Sequence, residues 1–156
     1  MSLHHPGIQA RLCSSLLTIA LLLNSAFGGS GGGSVVATAP PTPSAVDPSA
    51  YLTVETGTLP VVLSAPHGGT TVLPGIPERT SGVTTLDTHT YELAAAIQIK
   101  LFALTGKQAH RVAALASRKF IDFNRSSDQA YESPAVAALY QAYHASVDKA
   151  VLSAKT

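Results

Sequence analysis

The chain has 156 residues, ten basic and nine acidic side chains, a net charge of +1, 46% hydrophobic residues and one cysteine. With no basic run to track phosphates, nucleic acid is not an expected partner. A single cysteine excludes a disulfide framework, and at this length there is room for one domain.

Residues 1–11 hold Arg11 and no acid. Leu12–Leu23 is an apolar stretch, and small residues alternate through Asn24–Gly28. That layout predicts a secretory signal peptide over residues 1–28, since the apolar run is shorter than the roughly 20 residues of a membrane span. Cys13 lies inside the run, so the mature chain has no thiol nucleophile. Residues 29–49, rich in glycine and serine and then in proline, read as a tether that buries no core. Export to a secreted or periplasmic location is therefore expected, with no membrane association after cleavage.

Residues 50–156 hold the expected folded part. Tyr51–Thr56 and Pro60–Ala65 read as strands, and Gly57-Thr58 between them suggests a hairpin. The second strand runs into Pro66-His67-Gly68-Gly69, where the chain must turn. In α/β sheets ligands bind beyond the carboxyl ends of strands, which makes His67 a candidate metal ligand, with glycines that leave backbone room beside it. Gly68–Thr85 has little periodicity and reads as a long loop, functional or disordered.

Leu86, Leu93, Ala94, Ile97, Leu101 and Leu104 fall near a 3.6-residue repeat and predict a helix over 86–104 ended by Gly106. Asp87 then suits its first turn. Val112–Ala116 reads as another buried strand. Strand, helix and strand in this order predict a right-handed crossover and parallel pairing. Ser117–Arg125 therefore emerges at the same sheet edge as His67. Ser133-Pro134 signals the start of a last helix, with Val136, Tyr140, Tyr143, Val147 and Val151 along one face. His110 and His144 read as surface or packing residues.

Arg118, Asp122, Asn124 and Arg125 form a second group, able either to grip a carboxylate through the arginine forks or to form a surface Arg–Asp ion pair. Glu78, Asp87 and His89 are the groups available to join His67 at a metal.

Val62–Gly69 (VLSAPHGG), Asp87–Ala94 (DTHTYELA) and Ser117–Arg125 (SRKFIDFNR) resemble, in order and spacing, the signatures of the N-formylglutamate amidohydrolase family. The resemblance, which with Tyr143-His144 covers most of residues 60–145, implies a zinc-dependent hydrolase related to zinc carboxypeptidases and aspartoacylases. The implied fold is α/β, a mixed, mostly parallel sheet flanked by helices. By position it implies zinc on His67, carbonyl polarisation by Arg118, and a substrate carboxylate held by Asn124 and Arg125. The carboxypeptidase-type His-x-x-Glu pattern meets Thr70 instead of an acid, so Glu78 is the expected second metal ligand and Asp87 the next. The relatives draw a further histidine and a catalytic carboxylate from later strands. Residues 50–156 are thus expected to be the N-terminal part of such a domain, truncated at the C-terminus, with an incomplete site.

The expected activity is hydrolysis of an N-acyl amino acid or related amide with a free carboxylate. Zinc would supply a water ionised near neutral pH and the arginine would stabilise the oxyanion. The alternatives are a non-catalytic exported module that binds an acidic ligand, and a gene fragment without function.

Overall fold

The computed structural model describes residues 45–156. The signal peptide expected over 1–28 and most of the tether expected over 29–49 lie outside the described residues. Contact with the folded part is already present at Val46, ahead of the start expected at residue 50. The Val46 amide donates to the Ala135 carbonyl, and Asp47 caps a 3-10 turn, Pro48–Ala50, by accepting from the Ser49 amide. Such caps satisfy donors that the first turn leaves free.

The domain is a small mixed α/β unit. Its strands are β1 (Leu52–Glu55), β2 (Leu59–Ala65) and β3 (Ala109–Ala114), and its helices are α1 (Thr90–Thr105), the single turn α2 (Ser127–Ala130) and α3 (Ala137–Ala154). The sheet order is β1-β3-β2, with β1 antiparallel and β2 parallel to β3. The parallel pairing of β2 with the strand after α1 follows the crossover expectation.

The hairpin expectation fails because β3 inserts between the two strands. Thr58 and Leu59 donate to the Gln108 carbonyl instead of closing a turn onto β1. The β3 strand also starts three residues before the expected Val112, taking in His110 and Arg111. All six of its residues are buried, as a central strand requires. His110 Nδ1 accepts from the Gly57 amide at 3.2 Å, and Arg111 makes a two-pronged pair with Glu55 at 2.8 and 3.2 Å. Those partners let polar residues occupy the middle of a sheet.

Helices cover both faces. On one, α3 packs Leu139 and Tyr143 against Val112, Ala114, Phe120, Ile121 and Phe123, with the Phe123 and Tyr143 rings stacked at 4.5 Å. This is the main core. On the other face Ala65, Ala94 and Ala113 meet under Tyr91, small side chains that bring α1 close to the sheet. The loop Gly68–Thr85 is fastened to the domain: Leu73 and Ile76 enter the main core, Thr71 bridges to Ala116, and the Arg79 amide donates to Lys119. Along α3 the expected apolar face holds for Val136, Tyr140, Tyr143 and Val147. Val151 is exposed, and Leu139 takes a core place instead. Among the described residues no helix is long and apolar enough to cross a membrane.

The helix over 86–104 starts later than its periodicity predicts, at Thr90. His89 adopts φ 65°, the left-handed region that non-glycine residues rarely enter, and so cannot extend the helix backwards. Asp87 is thereby released from the helix into the turn before it.

Candidate functional site

Because β2 and β3 run parallel, the residues that follow them leave the sheet at one edge. There the structure brings His67, Asp87, Arg118 and Asp122 together in a closed ring. His67 Nδ1 lies 2.9 Å from Asp87 Oδ2, and His67 Nε2 lies 2.7 Å from Asp122 Oδ1. Arg118 closes the circuit, donating from Nε and Nη2 to Asp122 Oδ2 at 3.0 and 2.9 Å, and from Nη1 to Asp87 Oδ1 at 3.2 Å. Each carboxylate is held between the imidazole and the guanidinium, so the buried Asp122 charge is hydrogen-bonded on both oxygens and paired with Arg118.

Asp122 is its anchor. The side chain is fully buried and also accepts from the Asn124 amide at 3.0 Å. Burial pushes its carboxyl up, but hydrogen bonds from His67, the Asn124 amide and Arg118 outweigh that and hold it below the usual carboxylate range. Arg118 is buried and also donates to the Thr85 carbonyl. Its planar fork is used up inside the protein. Asp87 is the ring's exposed member, its side chain half open to solvent.

The glycines after His67 have a packing reason, not the room for an ion that the sequence suggested. A Cβ on Gly68 would stand 2.5 Å from the Tyr91 amide nitrogen, and one on Gly69 would stand 2.4 Å from the Leu115 carbonyl. They let the turn pass between α1 and the end of β3.

The zinc expectation is overturned. Among the described residues no group of three or more His, Cys, Asp or Glu side chains is arranged to hold a metal ion. The physical reason lies in the ring: both His67 nitrogens face carboxylates on opposite sides of the imidazole, so the three side chains do not converge on one point. Metal-ligating histidine keeps one nitrogen for the metal and uses the other for orientation, and His67 has neither to spare. Glu78, the expected second ligand, is on the surface and pairs with Lys119 at 3.1 Å. The residues do not fit zinc, and the expectations of a zinc cofactor, a metal-dependent hydrolase and amide cleavage are withdrawn with it. Arg118, expected to polarise a carbonyl, holds two carboxylates in place instead. His89 is exposed and takes no part.

Asn124 and Arg125, expected to grip one carboxylate jointly, line different clefts. Asn124 borders a cleft of about 460 Å³ formed by Val62–His67 of the β2 end and Thr90, Leu93, Ala94 and Ile97 of α1, with Asp87 at its rim. Arg125 borders a second cleft, of about 290 Å³, with Arg79, Ser81, Gly82, Asp128 and Gln129.

In this second cleft the electrostatics are unbalanced. Arg79 is buried and donates only to carbonyls, those of Val83, Ser81 and Arg118 at 3.3, 3.2 and 3.1 Å. Its Nε has no partner among the described residues. Among the described residues the Arg125 guanidinium donates only to the Asn124 carbonyl, at 3.2 Å. Asp128 is the cleft's one acid and pairs with neither guanidinium among the described residues. Sequence reasoning missed Arg79, which stands alone in a loop. The signal that could have found it is an arginine without an acid at helical or adjacent spacing other than Glu78, which Lys119 claims. Comparison with protein-family models, with curated proteins and with solved structures finds no match to this chain.

Proposed function

We propose that the domain is a non-catalytic module that binds a small carboxylate-bearing ligand in the cleft between Arg79 and Arg125. The observation that carries this reading is two guanidinium groups bordering one cleft, neither with a carboxylate partner in the described part of the protein. Arg79 in the cleft wall and Arg125 beside it leave positive charge uncompensated there, and a bound carboxylate balances it while accepting from the Arg125 fork. Arg125, exposed at the mouth, supplies a fork that needs no rearrangement of the core.

The ring of His67, Asp87, Arg118 and Asp122 is, on this reading, the brace that fixes the segment leading to Arg125. The three signature-like stretches named above all contribute to that brace. That supports descent from an N-formylglutamate amidohydrolase-like domain, with a carboxypeptidase-like layering of sheet between helices and without the metal chemistry. Export is part of the proposal, supported by Arg11 and the apolar run Leu12–Leu23.

The test is calorimetric titration of the full chain with L-glutamate, with N-formyl-L-glutamate and with inorganic phosphate, each with and without EDTA. Binding of the carboxylates that survives EDTA is expected, and Arg125→Ala should weaken it about 10- to 100-fold, the value of one charge-assisted contact. No binding at millimolar ligand, or an Arg125→Ala affinity equal to the parent's, would refute the site.

A further inference from the structure

The cleft of about 460 Å³ that Asn124 borders is larger than the Arg79–Arg125 cleft and has no part in the function proposed above. One wall is the free edge of β2, which among the described residues pairs only with β3, and the other is the first turns of α1. Such an edge exposes backbone amides and carbonyls that an extended chain can pair with. Pro60 and Pro66 bracket Val61–Ala65, which leaves five residues free to pair. Ala65 packs under α1 while the Ser64 hydroxyl meets Tyr143 of α3, so by alternation Leu63 also faces α1. Alternate side chains of an added strand therefore lie against Leu93 and Ile97, which are 57% and 40% exposed.

We propose that this cleft binds a short extended peptide by its free amino terminus, with the peptide antiparallel to β2. Charge selects the occupant and its direction. Asp87 stands at the end of the cleft beside Pro66 and His67, its side chain half open to solvent. Arg118, the ring's one fixed cation, spends two N–H groups on Asp122 and reaches Asp87 with one, at 3.2 Å. Each Asp87 oxygen has a single partner inside the ring, which leaves lone pairs for a donor arriving from solvent. No lysine or arginine is among the residues that line the cleft. An ammonium therefore completes this carboxylate, whereas a peptide carboxylate placed there is repelled. The α1 helix runs back along β2, from Ala94 beside Ala65 to Gln98 at the start of β3. One turn past Ile97, on the same flank, it exposes Lys100. Acid thus marks the end of the cleft toward Pro66, and base marks the end toward Pro60. A peptide with its ammonium at Asp87 points its carboxyl end toward Lys100, and the reverse direction sets like charge against like at both ends. The lengths agree as well: α1 rises about 15 Å from Thr90 to Lys100, and five extended residues span about 16 Å.

Calorimetric titration of the full chain with the C-terminal amide of Leu-Ser-Leu-Ser-Leu tests the proposal. This probe has an ammonium and no carboxylate, so the Arg79–Arg125 cleft has nothing in it to hold. Binding at micromolar peptide is expected. N-acetylation of the peptide, or Asp87→Asn in the protein, should each weaken it about 10- to 100-fold, the value of one charge-assisted contact. Ile97→Lys, which sets a cation into the apolar wall, should abolish it. Alternate N–H groups of a strand point to opposite sides, so N-methylation of the serine amides and of the leucine amides should differ. One set abolishes binding and the other leaves it near the parent value. Circular dichroism checks that each protein variant folds. No binding at millimolar peptide, equal affinity for the free and acetylated peptides, an affinity unchanged in Asp87→Asn, or equal effects of the two methylation sets would each overturn the proposal. L-glutamate binding by Ile97→Lys stays as in the parent, which separates failure of this cleft from failure of the Arg79–Arg125 cleft.

Discussion

Asp122→Asn is the sharpest probe of the ring. Asparagine has nearly the shape of aspartate and can still accept at one oxygen from His67 Nε2 and the Asn124 amide. At Oδ2, however, Arg118 Nε and Nη2 now donate at 3.0 and 2.9 Å toward an NH2 group, donor against donor. The buried guanidinium loses its buried anion and keeps only the half-exposed Asp87, at 3.2 Å. Breaking a buried pair by removing one partner costs about 3–5 kcal/mol, because the surviving charge stays desolvated. A domain of this size has only about 5–15 kcal/mol in total, so the variant should lose a large share of it. Asp87→Asn removes the other carboxylate from the same ring, but from a half-exposed side chain where water replaces it, and should cost about 1 kcal/mol or less. Urea denaturation followed by circular dichroism, with both variants beside the parent, measures the difference directly. If Asp122→Asn stays within about 1 kcal/mol of the parent, or Asp87→Asn costs as much as Asp122→Asn, then the ring is not the buried brace described above.

Three further outcomes follow from the same geometry. Asp122 and Glu55 both sit below the usual carboxylate range, Asp122 as described and Glu55 through its Arg111 hydrogen bond against a smaller upward push from burial. A depressed folded value gives stability that is fully present above the unfolded value of about 4 and is lost as pH falls through the folded one. Unfolding free energy should therefore fall on acidification below pH 4, with a shallower fall in Asp122→Asn; a rise over that range would contradict the assignment. Gly69→Ala should destabilise by about 2–3 kcal/mol or prevent folding, since its Cβ meets the Leu115 backbone and no side chain can move aside; a melting temperature equal to the parent's would remove the packing role given to this glycine. Chelation should leave the melting temperature unchanged, and His67→Ala should leave metal content unchanged by elemental analysis; one zinc per chain that is lost in that variant would restore the metal site withdrawn above.

Much of the architecture was legible in the residues because it is local. The β2 strand is an apolar run between prolines, α3 begins at Ser133-Pro134, and parallel pairing follows from strand, helix and strand in that order. The β3 strand was misplaced because His110 and Arg111 look unlike a central strand. Their acceptability depends on Gly57 and Glu55, more than fifty residues away, and no local pattern carries that information. The site shows the same division. That His67 and Ser117–Arg125 share a sheet edge follows from topology. That Asp87 reaches His67 and Arg118 depends on a single residue, His89, entering the left-handed region and delaying the start of α1. A helix starting at Leu86 would have kept Asp87 in its first turn, away from the histidine.

The α1 stripe shows where periodicity is right about the element and wrong about its surroundings. Leu93, Ile97 and Leu104 repeat as a core-facing helix should, yet the face that meets the sheet is built from Ala94 and Gln98, with Gln98 Nε2 donating to the Ala109 carbonyl at 2.9 Å. Alanine allows close approach, and the glutamine satisfies a backbone acceptor at the start of β3, so this face needs no large apolar side chains. Large apolar side chains then fall on both flanks of that face, Leu93, Ile97 and Leu104 on one side, with the exposed Lys100 among them, and Ile99 and Phe102 on the other. The repeat of large apolar residues that marks α1 in the sequence therefore identifies the helix without identifying its buried face, because the contact with the sheet is made by the small and polar residues between them.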